Sequence, residues 1–120
     1  MHTVLAVDDS ITMRQLVGLT LRQAGYEVVE AADGMDGLAK LGTRRFDLLI
    51  TDLHMPRMDG VELIKRVRAT AGYRFTPILM LTTETAASRK AEGQAAGATG
   101  WIVKPFDPQQ LIKVVKRVLP

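Results

Sequence analysis

Asp47-Leu48-Leu49-Ile50-Thr51-Asp52-Leu53-His54-Met55-Pro56 passes from an apolar run directly into a carboxylate. The run is too short for a stable helix and apolar on both sides, so Asp47–Thr51 reads as a strand buried on both faces, as in a parallel sheet. Asp52 then lies beyond the carboxyl end of that strand, where open α/β sheets bind their ligands.

The same grammar recurs on either side. Thr3–Val7, Val28–Ala31, Ile78–Leu81 and Trp101–Val103 read as further short strands, with amphipathic stretches between them. Five β/α units follow, and right-handed crossovers put helices on both faces of one parallel sheet. The first helix is expected to open at Ser10, to close at Gly25, and to turn Met13, Leu16, Val17, Thr20 and Leu21 inward. The last takes Asp107 as N-cap and Pro108 at its first position, with Leu111, Val114, Val115 and Val118 on its inner face. The fourth is the weakest, because Gly93 and Gly97 interrupt an alanine-rich stretch at a cost of roughly 1 kcal/mol per interior glycine. It is expected to be the most mobile.

At 120 residues, 47% hydrophobic and 24% charged, the chain suits one domain spanning 1–120. There are no cysteines, which excludes disulfides and thiolate metal sites and suits a cytoplasmic home. No basic leader precedes a long apolar run, and no stretch reaches the roughly 20 apolar residues that cross a bilayer, so a soluble protein without membrane contact is expected. The net charge of +3 raises nucleic-acid binding. Arg44-Arg45, Lys65-Arg66-Arg68, Arg89-Lys90 and Lys113-Lys116-Arg117 are scattered with few aromatics near them, so solvated helix faces are the better account and no direct nucleic-acid contact is expected.

The ends of the strands hold an unusual set: Asp8-Asp9, Asp52, Thr82-Thr83 and Lys104-Pro105. Each has a plain structural alternative. Asp8 or Asp9 could cap the first helix, Thr82 the fourth, and Lys104 could be a solvated charge. Taken together, three carboxylates at one sheet edge repel one another and need a cation. Hard oxygen donors without Cys or His partners suit magnesium, and Lys104 supplies a second positive charge. A carboxylate nucleophile beside a metal and an ammonium can accept a phosphoryl group, and Asp52 is the natural one.

Val7-Asp8-Asp9-Ser10, Leu49-Ile50-Thr51-Asp52-Leu53-His54-Met55-Pro56, Met58-Asp59-Gly60, Leu81-Thr82-Thr83 and Val103-Lys104-Pro105-Phe106 together resemble the motifs of response-regulator receiver domains, in family order and over nearly the whole chain. The resemblance is to single-domain receivers of the chemotaxis type. It implies a flavodoxin-like sandwich with strand order 2-1-3-4-5 and five flanking helices. It further implies that Asp52 is phosphorylated by a histidine kinase or histidine phosphotransfer protein, and that Asp9, Asp52 and the His54 backbone carbonyl ligate Mg2+ directly, with Asp8 acting through a water. Thr82 and Lys104 would bind phosphoryl oxygens, and the Lys104-Pro105 bond would be cis. Trp101 holds the aromatic switch position, where smaller rings or histidine are commoner, and an indole there needs a partner for its N–H. A tryptophan simply packed against the fourth helix is the alternative. His54 flanks the path of attacking water and is expected to tune phosphate lifetime; zinc is not expected, since His2 is the only other histidine.

A monomer is expected, signalling to a protein target through the face formed by the fourth helix, fifth strand and fifth helix, where Lys90, Gln94, Trp101 and Arg117 fall. No turnover of an external substrate is expected. Two rivals stand beside this reading. Haloacid-dehalogenase-type phosphatases also use an aspartyl nucleophile, but they place it after the first strand, whereas Asp52 follows the third. A receiver excised from a larger regulator, a phosphorelay shuttle and a phosphate sink share the same site; the initial Met and the end soon after the fifth helix favour a free-standing protein. No G-x-S-x-G, G-x-x-x-x-G-K-[ST] or G-x-G-x-x-G motif occurs.

Overall fold

Short strands apolar on both sides pair here as the run at Leu48 requires. A computed structural model describes residues 2–120, with β1 Thr3–Val7, α1 Ile11–Gln23, β2 Glu27–Ala31, α2 Gly34–Leu41, β3 Leu48–Thr51, α3 Gly60–Arg68, β4 Ile78–Thr82, α4 Ala87–Ala96, β5 Gly100–Val103 and α5 Pro108–Val118. All pairings are parallel in the order β2-β1-β3-β4-β5, with Val4 opposite both Val28 and Leu48. The expected topology is the observed one.

Alternation along the strands divides the core in two. Leu5, Val7, Leu49 and Met80 face α2, α3 and α4, while Val4, Ala6, Leu48, Ile50 and Leu81 face α1 and α5. Each inward residue of a central strand thus removes its apolar surface from water, at about 25 cal/mol per Å².

Ser10 caps α1 by accepting the Met13 N–H, and Asp107 caps α5 by accepting the Gln109 N–H, with Pro108 at the first turn as expected. Gly25 follows α1 at φ +97°, a backbone that glycine tolerates best. The inner face of α1 differs from expectation: Val17, Gly18, Thr20 and Leu21 are buried, Met13 is only half-buried, and Leu16 is exposed. Leu16 and Leu19 are exposed instead, bordering an open cleft that Pro108 and Ile112 of α5 also line.

Helix α4 departs further. Its N-cap is Ala86, with no side-chain cap, and Thr82 ends β4 instead of capping the helix. Gly97 is not interior; it is the C-cap at φ +117°, where Arg68 donates to its carbonyl at 2.7 Å. Arg68 also donates to the carbonyls of Tyr73 and Thr76, so one guanidinium ties this end of α4 to the β4 approach. Only Gly93 is buried along α4. Among the described residues, no helix is long and apolar enough to cross a membrane.

Candidate functional site

Parallel strands all deliver their carboxyl ends to one edge, which is why residues far apart in sequence meet there. Asp8 follows β1, Asp52 follows β3, Thr82 ends β4 and Lys104 follows β5. Lys104 Nζ lies 2.7 Å from Asp8 Oδ2 and 3.0 Å from Asp52 Oδ2. The other Asp52 oxygen, Oδ1, accepts the Leu53 N–H at 2.7 Å and the His54 N–H at 3.4 Å. Asp52 is therefore held at both oxygens. Asp8 Oδ1 accepts the Ser10 N–H, which fixes its other oxygen toward Lys104.

Asp8, Asp9 and Asp52 each offer a carboxylate oxygen within 4.8 Å of the others, with Asp9 exposed and the other two buried. Burial pushes the Asp8 carboxyl above its usual range despite the hydrogen bonds from Lys104 and Ser10. For Lys104, burial pulls downward, but its hydrogen bonds to Asp8 and Asp52, with their charges, outweigh that and raise it. Both groups thus hold protons more tightly than usual, Asp8 because it is buried and Lys104 because two carboxylates flank its ammonium. The corner is short of positive charge, and its donors are all hard oxygens, so the residues present fit a magnesium ion.

The segment after Asp52 is held by a glycine whose role was not visible in sequence. A Cβ at Gly60 would lie 2.3 Å from the Asp52 carbonyl oxygen and 2.9 Å from Leu53 Cα, and the Gly60 N–H donates to the Leu53 carbonyl at 2.7 Å. Met58-Asp59-Gly60 thus lets α3 start against the backbone that carries Asp52; Asp59 caps that helix by accepting the Glu62 N–H.

Thr82 is fully buried, and its hydroxyl accepts the Glu84 N–H at 3.3 Å. Glu84 is the second residue that the sequence did not mark. Its carboxylate lies 3.1 Å from His54 Nε2, accepts the Ala86 N–H at 3.1 Å, and through that bond first and His54 second is lowered below its ordinary range. Its backbone carbonyl accepts the Trp101 indole N–H at 3.1 Å. Glu84 therefore joins the loop after Asp52, the end of β4 and the aromatic of β5. Trp101 lies under α4, outside the acidic corner. The Lys104-Pro105 peptide is cis, as expected. The His54 ring is exposed and turned to Glu84.

Fold and site define a class: a five-stranded flavodoxin-like α/β protein with a lysine-bridged acidic pocket where the strands end. The response regulator receiver domain model matches residues 4–116, and the chain belongs to that family, the receivers of two-component systems. It is 42% identical over 118 residues to chemotaxis protein CheY1 of Helicobacter pylori, covering 97% of this chain and 95% of that one. It is 38% identical over 116 residues to chemotaxis protein CheY of Pseudomonas aeruginosa, covering 96% and 94%. The structure of chemotaxis protein CheY4 of Vibrio cholerae superposes with a TM-score of 0.95 at 58% identity, covering 98% of both chains. Family membership separates the chain from the dehalogenase-type phosphatases.

Proposed function

We propose that the chain is a chemotaxis-type receiver that takes a phosphoryl group onto Asp52 from a histidine kinase or phosphotransfer protein and passes the signal to a protein target. The observation that carries this reading is the pinning of Asp52: one oxygen on the Leu53 amide, the other on Lys104, with two more carboxylates alongside. A held carboxylate beside a buried cation is poised for in-line attack, because positioning and charge stabilisation are nearly all that phosphoryl transfer asks of a protein.

An Asp52 oxygen bonds to phosphorus as the donor's P–N bond breaks, and the imidazole leaves with the electron pair. Asp9, Asp52 and the His54 carbonyl would hold magnesium directly, with Asp8 through a water; bound there, it offsets the charge of the phosphoryl oxygens. Lys104 pairs with one phosphoryl oxygen, and the Thr82 hydroxyl, still accepting the Glu84 N–H, donates its own proton to another. Glu84, drawn with Thr82, carries the change to Trp101 and so to the α4-β5-α5 face, where the target docks. His54, held by Glu84 beside the pocket, sets how readily water reaches the acyl phosphate. The chain catalyses its own phosphorylation and dephosphorylation and turns over no external substrate.

Incubation with acetyl phosphate, read by intact mass, tests this reading. Wild type is expected to gain one phosphoryl group only with Mg2+, and Asp52→Asn to gain none. Full phosphorylation of that variant, or of wild type without a divalent ion, contradicts the assignment.

A further inference from the structure

The indole of Trp101 is clasped from two sides. On one, its N–H donates to the Glu84 carbonyl at 3.1 Å. On the other lies Gly93, the single buried residue of α4, so close that a Cβ there would sit 2.9 Å from Trp101 Cζ3, 3.6 Å from Cε3 and 3.9 Å from Met80 Cε. Contacts under about 3 Å do not persist between carbon atoms, whose attraction is best near 3.5–4.0 Å. A flexible side chain would move its tip aside; a fused ring held at its nitrogen has no such freedom.

We propose that Gly93 is the positioning residue that seats the Trp101 indole beneath α4, and that its missing side chain is what allows tryptophan at this strand position. The surrounding helix supports this. Ala87, Ala91, Ala95 and Ala96 fill α4 with the best helix former, yet the position over the ring carries glycine, which weakens a helix interior. A displaced ring also has somewhere to go. A cavity of about 250 Å³ opens beside it, lined by Lys90, Gln94, Ala98, Thr99 and Gly100 with Trp101 itself. Gly93 thereby decides whether the indole stays bonded to Glu84, the residue whose amide meets Thr82 and whose carboxylate meets His54. The link to signalling rests on the proposed reading that phosphorylation of Asp52 reaches α4 through Thr82; the seating itself does not.

Gly93→Ala tests the seat in unphosphorylated protein. The expected result is a red shift of tryptophan emission and loss of hydrogen-exchange protection at the indole N–H; emission and protection equal to wild type overturn the proposal. In the background Trp101→Phe, where the smaller ring leaves room, adding Gly93→Ala is expected to raise the denaturation midpoint through helix propensity. A midpoint that falls there overturns the proposal even if the single variant fails to fold. Acetyl phosphate with intact-mass detection separates this claim from the functional one. Gly93→Ala is expected to gain its phosphoryl group as wild type does, with no further change in emission. If wild type itself takes no phosphoryl group, the receiver reading falls and the seating result stands.

Discussion

Helices α4 and α5 roof the two faces of the same edge strand, and they are built in opposite ways. Helix α5 has an Asp107 cap, Pro108 in its first turn, and Leu111 and Val115 fully buried against the sheet. Helix α4 has no side-chain cap and buries only a glycine. Its C-terminal end is clamped by Arg68 at Gly97, whereas its first turns rest on Arg89, which reaches Asp59 at 3.4 Å. A strand packed firmly on one face and loosely on the other yields on the loose one. The end of α4 nearest Thr82 and Glu84 is therefore the part with least to lose by moving.

The largest expected effect breaks the firm side. Leu111→Ala is expected to cost about 2–5 kcal/mol, as for other buried leucines, while leaving phosphorylation of the folded protein intact. Urea denaturation beside intact mass checks both halves; a loss below 1 kcal/mol would mean that α5 is no better seated than α4.

The next contrast is between carboxylates. Asp107 serves a cap, as do Asp33 and Asp59. Asp8 instead lies in a pocket where burial raises its pKa above 3.8. Its folded state holds the proton more tightly than the unfolded chain, so this group costs stability at neutral pH and ceases to cost it as pH falls through the raised pKa. Asp33 and Asp36 have the opposite sign: the Asp36 and Ala32 amides lower them, giving stability present above 3.8 and lost as pH falls through their folded values. Without divalent ions, Asp8→Asn is expected to be more stable than wild type at pH 7, with the advantage shrinking on acidification. Denaturation midpoints across pH 4–7 test this, and an advantage that grows toward acid would reverse the sign.

The smallest effect repairs the loose side. Ala86 has the extended backbone of an N-cap, at φ −63° and ψ 130°, without the side chain for it. Ala86→Ser is expected to add about 0.5–1 kcal/mol and to slow amide exchange in the first turn of α4. Unchanged exchange there would show that the missing cap is not what loosens the helix.

Much of this architecture was legible in the sequence, because it depends on local patterns. The apolar run ending at Asp52, the Ser10 and Asp107 caps and the order of strand-end residues needed only periodicity and chain direction. What escaped depends on contacts between distant residues. Periodicity defines an inner face for α1 only approximately, so Leu16, expected inside, lies exposed. Gly93 looked like a defect until Trp101 lay against it. Glu84 looked like any acid in a loop, though it touches residues from three segments. Gly60 belongs to a motif, but its need for a bare Cα comes from the Asp52 carbonyl 2.3 Å from where a Cβ would stand.

Asp52, among the carboxylates of the corner, is the one expected to receive the phosphoryl group. Borohydride reduction of the protein after acetyl phosphate and Mg2+ treatment would convert an acyl phosphate to homoserine, which peptide sequencing by mass spectrometry can locate. Homoserine is expected at position 52 alone. Homoserine at position 8 or 9, in place of 52, would contradict that assignment.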